Sequence, residues 1–313
     1  MTSNGHGADR PELPDLPRIT ERVSFLYLEK CNISRDDSGV IAVSESGVLH
    51  IPIASIGAIL LGPGTTVTHR AMELMGDTST SICWVASDSA KMYCFGRPLN
   101  HSSALIELQA ALVSNRRRRL EVAREMYQMR FPNEDVSHLT MQQLRGREGS
   151  RIRGVYRNES KRTGVEWNGR AYRVDDFSVS DDVNASLSIA NSILYGVIHS
   201  VVCSLGCSPA LGFVHTGHDR SFVYDVADLY KTETAIPVAF DVAASHPANI
   251  WAATRSRMRE AIHHAHIMER AVHDIQHLLR YSVPENDDVD EVRLWGDNGE
   301  SVPGGVSYKE DRI

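Results

Sequence analysis

Several familiar signatures are missing from this chain, and each absence narrows the reading. No Cys-x-x-Cys pair occurs, and the five cysteines (Cys31, Cys83, Cys94, Cys203 and Cys207) are odd in number. A disulfide frame or a zinc ribbon needs paired, closely spaced thiols, so these read as reduced thiols of a cytoplasmic protein. Met1 to Gly7 contain no apolar run, which predicts no secretory leader. There is no phosphate-cradling glycine loop, no dinucleotide fingerprint and no internal repeat. Long hydrophobic runs are scarce as well. The nearest, Ala185 to Leu205, is interrupted by Ser186, Ser188, Asn191, Ser192, His199 and Ser200, which predicts a helix buried in protein and no membrane span.

What is present fits an ordinary globular chain. A hydrophobic share of 42% with 23% charged residues places the chain in that class, and 313 residues suffice for two domains with real cores. The net charge of −7 argues at first against a polyanion partner. Its distribution reverses that argument. From Pro284 onward nine acids face three bases, a net of −6, so the body is near neutral and its arginine clusters leave nucleic acid open as a ligand.

Residues 1–17, with Gly5, Gly7, Pro11, Pro14 and Pro17, read as a flexible leader. Residues 18–96 alternate short apolar runs with turn signals and predict a mostly-β domain suited to dimerisation or partner contact. Strands are expected at Val23–Leu28, Val40–Val43, Val48–Ile53, Ile56–Leu61, Ser81–Val85 and Met92–Phe95, with a short helix at His69–Met75. Residues 97–283 change to helical periodicity. One helix is expected to run from about Leu105 through Arg116, Arg117, Arg118 and Arg119 to Met129. Four consecutive arginines cannot all face a core, so they suit either a solvated face or phosphate contact. Residues 284–313 form an acidic tail expected to lack structure.

Two stretches carry candidate chemistry. In Gln143–Arg157, Glu148 lies between Gly146 and Gly149 at an expected helix start, among Arg145, Arg147, Arg151, Arg153 and Arg157. As structure it would pair with Arg151; as chemistry it is a carboxylate in a cationic surface, the combination phosphodiester chemistry needs. In Gly212–Lys231, His215 is expected at a loop mouth, with Asp225 and Asp228 on the first turns of a helix and pointing to one side. An imidazole beside carboxylates can hold a divalent cation or run acid–base chemistry. The same residues also suit a helix dipole and a satisfied loop histidine, and spacing alone leaves both readings open. A single helix from Ile250 to Leu279 carries His263, His264, His266, His273 and His277; His273 and His277, four apart, could bind a transition metal, but without a nearby acidic or cysteine partner the helix reads as a solvated face.

In combination, Leu144-Arg145-Gly146, Glu148-Gly149-Ser150-Arg151, Trp167-Asn168-Gly169-Arg170, Leu194-Tyr195-Gly196, Gly212–Gly217 and Ser221–Asp228 resemble the CRISPR-associated spacer-acquisition integrase and endonuclease family, in its type I-E branch. The resemblance runs in order from about residue 18 to 245; the leader, the histidine-rich helix and the acidic tail fall outside it.

The resemblance implies an α+β fold, an N-terminal mostly-β domain followed by a larger all-α catalytic domain, assembled as a homodimer. It implies metal ligation by Glu148, His215 and Asp228, with Asp225 as an accessory acid, and a Mg2+ or Mn2+ cofactor. The implied reaction is metal-dependent transesterification that inserts short DNA fragments into a CRISPR array. Arg116 to Arg119, Arg145, Arg147, Arg151 and Arg153 are then DNA-binding candidates. A small ferredoxin-like CRISPR-associated subunit bridging two dimers is the implied partner, with no membrane. Two other readings stay open: a structure-selective DNA nuclease that uses water as nucleophile, and a non-catalytic DNA-binding architectural subunit.

Overall fold

The computed structural model describes residues 25–36, 39–78, 80–86, 91–96, 103–170, 181–281, 291–295 and 301–306. The leader expected at 1–17 lies outside them. Strands β1 (Phe25–Leu28), β2 (Asn32–Asp36), β3 (Gly39–Ser44), β4 (Gly47–Ile51), β5 (Ala58–Leu61), β6 (Thr66–Val67), β7 (Ser81–Val85) and β8 (Met92–Gly96) build two four-stranded sheets, with helix α1 (His69–Asp77) between β6 and β7. One sheet has the order β1-β5-β7-β8, the other β4-β3-β2-β6. The first is parallel through β1, β5 and β7 and closes with antiparallel β8.

The continuous apolar run of β5 is explained by its neighbours. Ile59 and Leu61 share a core with Ile33, Val40, Ala71 and Met75, while Leu60 points the other way, onto Cys83 and Val85. A strand covered on both faces has no polar alternation to display. Two strands, β2 and β6, were not among those expected. Their residues Asn32-Ile33-Ser34-Arg35-Asp36 and Thr66-Val67 carry little apolar pattern, and pairing with β3 and with each other makes them strands.

The helices are α2 (Ala104–Ser114), α3 (Arg116–Arg130), α4 (Met141–Thr163), α5 (Asp182–Ser204), α6 (Ser221–Ala227), α7 (Ala235–Ala244), α8 (Ile250–His264) and α9 (Ile267–Leu278). Three expectations are corrected here. The expected helix through the four arginines is two helices, broken at Asn115. That residue is extended, and its side chain accepts hydrogen bonds from the Arg117 and Arg118 amides at 3.0 and 3.1 Å, the local bonding that makes asparagine a cap. The expected helix from Ile250 to Leu279 breaks at His266, whose φ of +48° no continuous helix permits. The acidic tail is not wholly without structure, since β9 (Glu291–Trp295) pairs antiparallel with β10 (Ser301–Val306).

Helix α5 is the hub. Asp181 caps it, accepting from the Asn184 amide at 2.7 Å, and it packs against α6, α7, α8 and α9 while also touching β7 and β8. It is long and apolar enough to cross a membrane, yet 72% of its most apolar window is buried inside the protein, as a core helix should be. Helix α4 begins with a reciprocal capping box between Thr140 and Gln143 and ends at Gly164, whose φ of +74° suits glycine. Past that end, Trp167 stacks on Tyr156 at 4.4 Å, and Arg170 donates to the Asn184 carbonyl and side-chain oxygen at 3.1 Å. The Trp-Asn-Gly-Arg motif is thus a clasp of α4 onto α5.

Candidate active site

The site is assembled from α3, α4, α6 and the loop before α6. Glu148 sits two turns inside α4 and not at a helix start, because the capping box places the start at Thr140. The expected pair with Arg151 does not form. Arg151 turns to Glu134, which it grips with two nitrogens, and lies over the Phe131 ring at 4.3 Å. Glu148 instead accepts from the Tyr127 hydroxyl at 2.6 Å and from Arg130 Nη1, both on α3.

Asp225 and Asp228 also depart from expectation. They occupy the last turn and the C-cap of the seven-residue α6, and they do different things. Asp225 is turned inward, its side chain wholly buried. Its two oxygens accept the amides of Phe213 at 2.5 Å, Val214 at 3.0 Å and His215 at 2.8 Å. The Oδ1 atom also lies 2.7 Å from His215 Nδ1. Asp228 faces Arg130 Nη1 at 3.9 Å and Lys231 Nζ at 2.5 Å. Lys231 in turn donates to the Tyr195 hydroxyl at 2.6 Å. A small pocket lined by Met126, Tyr127, Arg130, Val214, His215, Asp225 and Asp228 lies at the centre.

The electrostatics follow from this crowding. Burial opposes ionisation of Asp228, but Lys231 and Arg130 outweigh it and hold the carboxyl below its usual range. The Asp225 hydrogen bond raises the His215 imidazole above its ordinary value against the opposing effect of burial, with Asp228 adding to the rise. Asp228 faces Lys231, one turn on, raising the lysine against its own burial and keeping it protonated.

The donor set fits a hard divalent cation. Glu148 and Asp228 offer carboxylate oxygens beside one pocket. His215 has its Nδ1 side taken by Asp225, which leaves Nε2 as the ligand atom, the usual carboxylate–histidine support of a metal. Asp228 Oδ1 is buried and makes no hydrogen bond of good geometry despite its closeness to Lys231. Among the described residues, no three such groups stand close enough to hold one ion at once. The Arg130 guanidinium contacts both Glu148 and Asp228, and with Lys231 it supplies positive charge there.

The arginines divide into two groups. Arg116, Arg117, Arg118, Arg147 and Arg153 are exposed; Arg117 pairs with Glu121 at 3.2 Å, and Arg147 lies 3.9 Å from Glu134. Arg119, half-buried, and Arg145, itself exposed, also reach the molecule's own backbone, with Arg119 Nε donating to the Phe213 carbonyl at 2.7 Å and Arg145 Nη2 to that of Val214. Tyr127, Arg130, Tyr195 and Lys231 were missed from sequence. Lys231 left a local signal in its three-residue spacing from Asp228, and Tyr195 lay within the Leu194-Tyr195-Gly196 motif. The histidine-rich face also gains an acidic neighbour that sequence distance concealed, since His277 Nε2 lies 2.7 Å from Glu125.

Comparison with known proteins shows which family the chain resembles. The family model described as CRISPR associated protein Cas1 matches residues 25–136 and 134–250. The chain is 47% identical over 298 residues to the CRISPR-associated endonuclease Cas1 of Clostridium sp. (strain SY8519), covering 95% of this chain and 99% of that protein. The protein of that name in Escherichia coli (strain K12) is 38% identical over 230 residues, covering 73% and 75%. The crystal structure of a TtCas1–DNA complex superposes with a TM-score of 0.76 at 39% identity, covering 83% of this chain and 97% of that one. With an α+β architecture shared over most of its length and matches on both sides of the pocket, the chain belongs to the Cas1 family.

Proposed function

We propose that this chain is a metal-dependent DNA endonuclease and integrase of CRISPR adaptation, of the type I-E branch. It would insert short DNA fragments into the repeat array by transesterification, a DNA 3′-hydroxyl attacking a repeat phosphodiester. The observation that carries the reading is that His215 and Asp228 line one pocket with Arg130, and Arg130 also binds Glu148, although 67 residues separate Glu148 from His215. A relative solved with DNA and relatives named endonucleases support it.

Glu148, His215 Nε2 and Asp228 would hold Mg2+ or Mn2+, the imidazole tilting preference toward manganese. A cation held there would polarise the scissile phosphate and help stabilise charge on the attacking or leaving oxygen. The protein's own groups do the rest. Asp225 fixes the tautomer and the ring of His215. Lys231 stays protonated beside Asp228 and supplies a fixed positive charge at the pocket's edge. The exposed Arg116, Arg117, Arg118, Arg147 and Arg153 offer phosphate contacts that need no base sequence. A homodimer, a small ferredoxin-like CRISPR-associated subunit bridging two dimers, and a cytoplasmic location complete the proposal.

The test uses labelled fragment and repeat duplexes with Mn2+ or Mg2+. Longer, joined products are expected, lost in Glu148→Ala, His215→Ala and Asp228→Ala while DNA binding survives. Shortened products alone would indicate a nuclease that uses water, and DNA binding without any divalent-dependent product would indicate an architectural subunit. Near-normal joining by a folded Glu148→Ala or His215→Ala variant would sink the site assignment.

A further inference from the structure

The loop that carries His215 is held at nearly every main-chain polar atom. Asp225 accepts all three amides of Phe213, Val214 and His215. The carbonyls of Phe213 and Val214 are taken from the opposite side, by Arg119 of α3 and Arg145 of α4. Gly212 completes the device. A Cβ there would stand 2.4 Å from the His215 carbonyl oxygen and 2.8 Å from the Ser221 Cβ, so the chain closes more tightly than any side chain permits. A tripeptide with five of its six main-chain groups bonded to charged side chains cannot wander.

We propose that Arg119 and Arg145 are positioning residues for His215, clamping its loop from two helices and not serving as phosphate contacts. Both belong to arginine clusters that sequence alone would assign to DNA. Each cluster is therefore split. On α3 the split is by direction: Arg116, Arg117 and Arg118 face solvent, whereas Arg119, one residue on, crosses to the loop. On α4 the split is in bonding and not in exposure: Arg145, Arg147 and Arg153 are all exposed, but Arg145 Nη2 donates to the Val214 carbonyl. Guanidinium suits the task because it offers several donors in a rigid fork and stays charged. The clamp also fixes distance. Glu148 lies one turn from Arg145 on the same helix, so a helix that shifted would carry Glu148 and the His215 loop together.

This inference rests on the proposed nuclease and integrase reading for its catalytic consequence but not for its structural one, and the experiment separates them. Arg119→Gln, Arg145→Gln and their double are compared with Arg116→Gln, each in the full chain. For a clamp, amide exchange at Phe213, Val214 and His215 accelerates while α5 keeps its protection. DNA affinity and its salt dependence then stay at the wild-type level, and turnover at saturating DNA falls by about 10–100-fold, as when other supports of a ligand are removed. For a phosphate contact, the salt slope falls by about one per arginine and turnover at saturating DNA is unchanged, which overturns the proposal. Unchanged exchange at the three amides overturns it too. If wild-type protein yields neither joined nor cut DNA, the functional reading fails and the amide exchange alone decides the clamp. Should the double variant fail to fold, the single variants carry the same comparison.

Discussion

At the scale of single residues, Arg130 is a buried charge shared between two carboxylates. Its side chain is 6% exposed and its Nη1 serves both Glu148 and Asp228, while its Nε has no partner. Two nearby carboxylates repel each other, and the shared guanidinium offsets that repulsion, with Lys231 adding positive charge at Asp228. Arg130→Leu is expected to destabilise the protein by about 3 kcal/mol, the lower end for leaving a buried charge unpaired. Added Mn2+ should return part of that loss, because an ion that binds the native state alone stabilises it by mass action. Urea unfolding of wild type and variant, each with EDTA and with Mn2+, measures both effects. A variant that unfolds like wild type in EDTA would show that Arg130 is not the counter-charge.

Helix ends decide more than helix centres at the next scale up. Breaking the expected long helix at Asn115 turns α3 so that Tyr127 and Arg130 reach Glu148 and Arg119 reaches Phe213. The break is capped by one side chain that accepts two amides. Asn115→Ala is therefore expected to cost about 1 kcal/mol in chemical denaturation, whereas Asn115→Asp or Asn115→Ser should retain most of the stability. Equal stability of all three variants would mean that tertiary packing, and not the cap, sets the break. The same attention to ends explains why Glu148 was misplaced. Gly146 and Gly149 look like helix-breaking residues, yet the capping box at Thr140 and the glycine cap at Gly164 override them, and α4 runs straight through both.

For the whole molecule, the contact between the helices and the first sheet runs along α5, and it contains groups that only a buried environment tolerates. Burial pushes the Cys83 thiol up to about 11 and that of Cys203 to about 12, so both stay protonated and unreactive in the native state. The same helix carries His199. Burial, with Arg220 adding, pushes its imidazole down from 6.5 to about 4. Between those values the unfolded chain binds a proton that the native chain refuses, so stability falls as pH drops from about 6.5 toward 4. His215 has the opposite sign: its raised value adds stability that is fully present below its ordinary value and lost as pH rises through the folded one. Melting temperature should therefore decline from pH 6.5 to 4.5 more steeply in wild type than in His199→Gln. Parallel declines would mean that His199 is not the acid-sensitive group.

Much of this was legible before any fold. The shift from short apolar runs to helical periodicity near residue 97, the buried character of α5, and the residue types Glu, His and Asp amid arginines are local chemistry, and local chemistry is written in sequence. The strands β2 and β6 were not, because Asn32–Asp36 and Thr66–Val67 take their form from partners and not from their own pattern. The direction of each charged side chain was also hidden. Arg118 and Arg119 are adjacent and chemically identical, yet one faces solvent and the other the Phe213 carbonyl, since successive residues on a helix point about 100° apart. Sequence determined which residue types this chain holds. Tertiary structure alone decided that Arg130 stands between Glu148 and Asp228, and that Asp225 faces inward to hold the loop of His215, because those contacts join residues 10 to 98 positions apart along the chain.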